Sequence, residues 1–125
     1  MYQDVSHLLS RLIHGPAPLR QIFFASTLTP IPELAYQVDF PRLEIVLEGE
    51  LSDASLADAL TPYDVLYVPA GGWNLPQWRV PVITLSILFG KQQLGFSVVQ
   101  WDGKTYQNLV KQHVARRGPV SYTHL

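Results

Sequence analysis

The sequence predicts an all-β domain, a sandwich or closed barrel of short strands. Three observations carry that expectation. Seven or so runs of β-branched and large apolar residues are separated by turn residues roughly every 8–12 positions. Several runs alternate apolar and polar residues with a period of two, the mark of a strand with two different faces. No strand-like run is followed by a long helical pattern, so a parallel α/β sheet is not expected.

The elements follow in order. Residues 4–14 place Val5, Leu8, Leu9, Leu12 and Ile13 at helical spacing, with Asp4 as N-cap and Gly15-Pro16 as a stop. This short amphipathic helix either covers the sheet or meets a partner. Residues 20–28 are rich in β formers. Pro30 and Pro32 interrupt, and residues 33–40 then alternate, with Leu34, Tyr36, Val38 and Phe40 on one side, as a half-buried strand would. Residues 42–48 form the next strand, with Leu43, Ile45 and Leu47 opposed to Arg42, Glu44, Val46 and Glu48.

Residues 52–60 read either as a helical turn, from their alanines, or as a short strand. Residues 64–68 are a strand. Residues 81–89 and 94–101 are two more, joined as a hairpin across Gly90 to Gln93. Asp102-Gly103 is a turn, and residues 105–117 read as a helix with Leu109, Val110 and Val114 on one side. The units are thus a helix over 1–15, a barrel over 16–104, a helix or linker over 105–119 and a tail over 120–125. Residues Ser121 to Leu125 carry no periodic signal and read as a truncation or cloning scar.

Composition narrows the function. Apolar residues make up 47% and charged residues 15% of the 125, which is globular and enough for one cored domain. The formal net charge of −1 makes the domain as a whole a poor electrostatic binder of nucleic acid. There is no cysteine, which excludes disulfides, thiolate metal sites and a cysteine nucleophile, and fits a reducing cytoplasm. No apolar run reaches the roughly 20 residues of a membrane span.

The stretch Arg42 to Trp78 reads RLEIVLEGELSDASLADALTPYDVLYVPAGGWNLPQW. Its V-L-E-G-E string (Val46 to Glu50) and its Y-D-V-L-Y-V-P-A-G-G-W-N string (Tyr63 to Asn74) resemble the two strand motifs of the cupin barrel. More narrowly, the stretch resembles the N-terminal sensor domain of AraC-type bacterial transcription regulators. The resemblance covers roughly residues 20–101. It implies a cupin-like double-stranded β-helix, or jelly roll, that holds a small polar or anionic effector. It also implies a C-terminal pair of helix-turn-helix units that reads DNA and is missing from this chain.

Metal-binding cupins carry three histidines and a glutamate at fixed spacing around these motifs. Anchored on Gly49 and Pro69-Ala70-Gly71, the ligand positions become Tyr36, Val38, Arg42 and Asn74, and a motif glycine becomes Tyr63. His7, His14, His113 and His124 have no ligand spacing with one another. No metal and no cofactor is therefore expected, and a binding module is favoured over an enzyme. The competing readings are a metal-independent cupin isomerase and an orphan ligand-binding module.

The candidate ligand-binding residues are Tyr36, Arg42, Tyr67, Trp73, Asn74 and Trp78. Tyr36 points inward by its alternation, as pocket wall or as core. Arg42 either faces water or projects inward, where a buried guanidinium needs Glu44, Glu48 or an effector carboxylate as partner. Trp73 and Trp78 around Asn74 suit a pocket mouth or a plug of the barrel end. Tyr67 lines the same cavity or packs the core. Lys111, His113, Arg116 and Arg117 form a basic face on the last helix, solvated or set against phosphate. That helix, read as linker or homodimer contact, supplies one helix at most. These residues alone are therefore not expected to bind DNA specifically.

Overall fold

The computed structural model describes residues 5–15, 19–27 and 30–115. Among the described residues one helix, Val5–His14 (α1), precedes ten short strands. These are Ile22–Phe24 (β1), Tyr36–Gln37 (β2), Arg42–Gly49 (β3), Ser52–Asp53 (β4), Val65–Val68 (β5), Trp73–Asn74 (β6), Pro76–Gln77 (β7), Val82–Phe89 (β8), Gln93–Trp101 (β9) and Tyr106–Ala115 (β10). Six of them make one sheet in the order β1-β5-β3-β8-β9-β10. All of its pairs are antiparallel except β1 with β5. Two ribbons, β2-β6 and β4-β7, complete the described fold, which is all-β with one short helix.

The central sheet separates two apolar clusters. On one face α1 lays Val5, Leu8 and Leu12 against Ile45, Leu47, Val65, Leu85, Ile87, Phe96 and Val98. Those helix positions are one stripe at 3.6-residue spacing, and burying each contributes roughly 1.5–3 kcal/mol. The helix therefore covers the sheet. The amide of Gly15 donates to the Arg11 carbonyl at 2.8 Å and closes its last turn. The N-cap expected at Asp4 lies outside the described residues. On the other face Val46, Leu66, Val68 and Val82 meet Leu51 and Leu60. A strand with both faces covered shows no clean alternation of burial, and Ile45, Val46 and Leu47 are all buried.

Three expectations are corrected. The helix expected over 105–117 is, within the described residues, a strand: β10 pairs along β9 from Tyr106 opposite Trp101 to Ala115 opposite Gln93. The Asp102 carboxylate accepts from the amides of Lys104 at 2.8 Å and Thr105 at 2.9 Å, with Gly103 at φ +101°, and this turn sends the chain back along the open edge of β9. A bulge between Asn108 and Val110 lets both Leu109 and Val110 pack against the α1-side cluster. The apolar side assigned to a linker or dimer contact is thus largely used within the domain, although Val114 stays 44% exposed. Lys111 and His113 are exposed on β10, while Arg116 and Arg117 lie outside the described residues.

The second correction concerns residues 33–40, where only Tyr36–Gln37 is strand. Leu34 sits in a turn at φ +71° and is 88% exposed. Alternation there has no long neighbour to pair with, since β2 meets only the two residues of β6. Third, of the strand expected over 20–28, residues 20–27 hold only Ile22–Phe24, an edge strand, and residue 28 lies outside the described residues. Of the two readings of 52–60, the short strand holds: Ser52–Asp53 pairs with β7, and turns follow.

Candidate functional site

The sheet face opposite α1 is the floor of a half-open cavity of about 450 Å³, within the range of small-ligand pockets. Register builds the floor. Glu44 on β3 lies opposite Ser86 on β8, and Ser86 lies opposite Ser97 on β9. One step along, Val46 faces Thr84 and Thr84 faces Val99. On the other side Arg42 faces Leu88. Period two sends Leu43, Ile45, Leu85 and Ile87 toward α1 and leaves Arg42, Glu44, Thr84, Ser86, Leu88, Ser97 and Val99 to the cavity, while Val46 is buried in the second apolar cluster.

Arg42 is 1% exposed. Its Nη1 donates to Glu44 Oε1 at 3.2 Å, and its Nη2 donates to the Tyr36 carbonyl at 2.9 Å. Its guanidinium carbon stands 4.2 Å from the centre of the Tyr36 ring, a cation–π contact. Nε has no partner. The second carboxylate oxygen of Glu44 accepts from Ser86 Oγ. Of the partners open to Arg42, the structure supplies Glu44. Burial pulls the Arg42 pKa down, opposed first by the Glu44 charge. Burial pushes the Glu44 carboxyl up, opposed by the Ser86 hydrogen bond and then by Arg42.

The opposite wall comes from the ribbons. Asp53 on β4 is buried and accepts from Asn74 Nδ2 at 3.0 Å, the Leu75 amide at 3.0 Å, and the amide and hydroxyl of Ser55 at 2.9 and 2.7 Å. This one carboxylate ties β4 to the β6–β7 segment and fixes the Asn74 side chain. Asn74 Oδ1 is buried without a partner. At the mouth Trp78 meets Tyr106 edge to face, ring centres 5.4 Å apart. Tyr106 titrates above the ordinary tyrosine value, chiefly through burial and secondarily through the charge of Glu44.

Four of the six candidate residues, Tyr36, Arg42, Asn74 and Trp78, line this cavity. Tyr67 and Trp73 do not. Tyr67 shares the parity of Val65, so it faces the α1 side and packs edge to face on Phe24 at 5.9 Å. Trp73 precedes Asn74 on β6 and is buried away from the cavity, its amide donating to the Ser26 carbonyl at 3.0 Å. The sequence reading missed Glu44, Thr84, Ser86, Ser97 and Tyr106. For Glu44, Thr84 and Ser86 the sequence shows polar residues at one parity of runs whose other parity is apolar, but that this face is covered and not solvent follows only from the assembled sheet. Of the positions aligned with metal ligands, Tyr36, Arg42 and Asn74 converge on the cavity. Among the described residues no three His, Cys, Asp or Glu side chains cluster as a metal site.

Fold and cavity together define an all-β domain with a chamber of mixed lining, polar along its floor, between a six-stranded sheet and two ribbons. Its homologues are transcription regulators. The chain is 75% identical over 119 residues to the uncharacterized HTH-type transcriptional regulator YijO of Escherichia coli, which covers 95% of this chain and 42% of that relative. It is 36% identical over 117 residues to the uncharacterized HTH-type transcriptional regulator YpdC of the same organism, covering 92% of this chain and 39% of that relative. The chain thus spans about two-fifths of the length of the curated relatives it matches. No protein-family model and no solved structure matches it.

Proposed function

We propose that this chain is the effector-sensing domain of an AraC-type transcription regulator, built on a cupin-like double-stranded β-helix and working in the cytoplasm without catalysis. A small polar molecule occupies the cavity over β3, β8 and β9. DNA is read by helix-turn-helix units outside the described residues, which contain one helix. The observation that carries the reading is a ligand-sized cavity, apolar in much of its wall with Glu44, Thr84, Ser86 and Ser97 on its floor, in a chain whose homologues are named regulators. Backbone conformation supports the cupin alignment. Its anchor glycines Gly49 and Gly71 take φ of +81° and +79°, and Tyr63, aligned with a motif glycine, keeps φ +72°.

A thermal-shift screen of small polar metabolites tests this, because a ligand bound only to the native state raises stability by mass action. Hits should raise the Tm of the parent protein and lose their effect on Ser97→Phe, which fills the floor of the cavity. Equal stabilisation of both proteins places the ligand elsewhere and ends the proposal.

A further inference from the structure

The charges lining the cavity differ in what they offer a ligand. Among the described residues the only cationic side chain in its wall is Arg42, 1% exposed, whereas the side chain of Glu44 is 15% exposed. Both terminal nitrogens of the guanidinium are engaged, one by Glu44 and one by the Tyr36 carbonyl, and its face lies against the Tyr36 ring. A carboxylate or phosphate entering the cavity meets the oxygens of Glu44 first. The guanidinium, its unpartnered Nε included, is closed off from the open space of the cavity, so an anion can reach it only by displacing Glu44, which then stays largely buried and uncompensated. Asp53 stands behind Asn74 as a second carboxylate close enough to act on both members of the pair.

A ligand cation fares little better. Glu44 is already balanced by Arg42 and bonded by Ser86, and Asp53 already accepts four hydrogen bonds. Asp53 does not line the cavity, so an ammonium group would be desolvated against Glu44 alone, which Arg42 already neutralises. What remains usable is the hydrogen-bonding capacity of Glu44, Thr84, Ser86 and Ser97 on the floor, with aromatic surface from Trp78 and Tyr106 at the mouth.

Taking the sensor reading as its basis, we infer that the cavity selects uncharged molecules bearing hydroxyl or amide donors, and that Glu44 excludes anions by occupying Arg42. Glu44 is thus a specificity-determining residue. The pair is an internal counter-ion arrangement, in which the guanidinium positions the carboxylate as an acceptor and does not bind ligand itself.

The test is a thermal-shift and titration panel of three arms matched in size: uncharged polyols and amides, primary amines, and carboxylates and phosphates. Stabilisers should fall in the uncharged arm, binding at least about tenfold more tightly than their charged analogues, the scale of one charge-assisted hydrogen bond. Glu44→Gln, checked for folding by circular dichroism, should release Arg42 and raise affinity for the anionic arm by about tenfold or more. Anions or amines that bind the unaltered protein as well as uncharged compounds overturn the inference and leave the sensor reading standing. A panel without stabilisers in any arm overturns both. The charge series on the unaltered protein decides the matter even if Glu44→Gln fails to fold.

Discussion

Arg42→Met isolates the cost of the buried ion pair. Methionine keeps most of the stem but removes the charge, leaving the Glu44 carboxylate with Ser86 as its remaining side-chain partner. Breaking a buried pair from one side costs about 3–5 kcal/mol, and loss of the bond to the Tyr36 carbonyl lies within that figure. The penalty depends on pH. Burial already raises the folded Glu44 pKa above its ordinary value, and Arg42 partly opposes the rise. Between the unfolded and the folded pKa the native state binds more protons, so stability falls as pH rises through that window. Removing Arg42 moves the folded pKa higher and extends the window upward. The variant should therefore lose about 3–5 kcal/mol at pH 8 and clearly less at pH 5, where Glu44 can take up a proton. Urea unfolding followed by the fluorescence of the three tryptophans measures both. Arg42→Met/Glu44→Leu, which removes both charges, should recover most of the loss at pH 8. A loss below about 1 kcal/mol at pH 8, or one equal at both pH values, refutes the argument.

Other outcomes follow from the same geometry. Gly49→Ala should destabilise by about 2 kcal/mol or more, read as a fall in Tm, because a Cβ at φ +81° would stand 2.2 Å from the Pro81 carbonyl oxygen. Asp53→Ala orphans Asn74 Nδ2 and the Leu75 amide; it should cost about 3 kcal/mol in urea unfolding and weaken ligand binding by loosening the cavity wall. In a gel shift at near-physiological salt the 125 residues should show no sequence-selective duplex binding, since the described residues contain one helix. Tight selective binding would refute the assigned division of labour.

Local chemistry made much of this fold legible. The stripe Val5, Leu8, Leu12 produced α1, and the β-branched runs around Gly90 to Gln93 produced the β8–β9 hairpin. Both signals are periodicities that act within a few residues. Thr105 to Arg117 failed because its pattern serves a helix and a strand alike; the open edge of β9, and the Asp102 turn that delivers the chain to it, decided for strand. Tyr36, Arg42, Asn74 and Trp78 could be picked out because their types suit a pocket and their motif positions are fixed by nearby glycines. Tyr67 and Trp73 have the same chemistry and lost their place to parity, since only the assembled sheet says which face is floor. Glu44 is the clearest case. In sequence it reads as the solvent side of a strand; it is only 15% exposed because β5 and β8 flank β3 and the ribbons close the face above it. Sequence determined the residue types and their alternation. Tertiary structure decided that both faces of β3 are covered, so one alternation became core and the other a charged cavity floor.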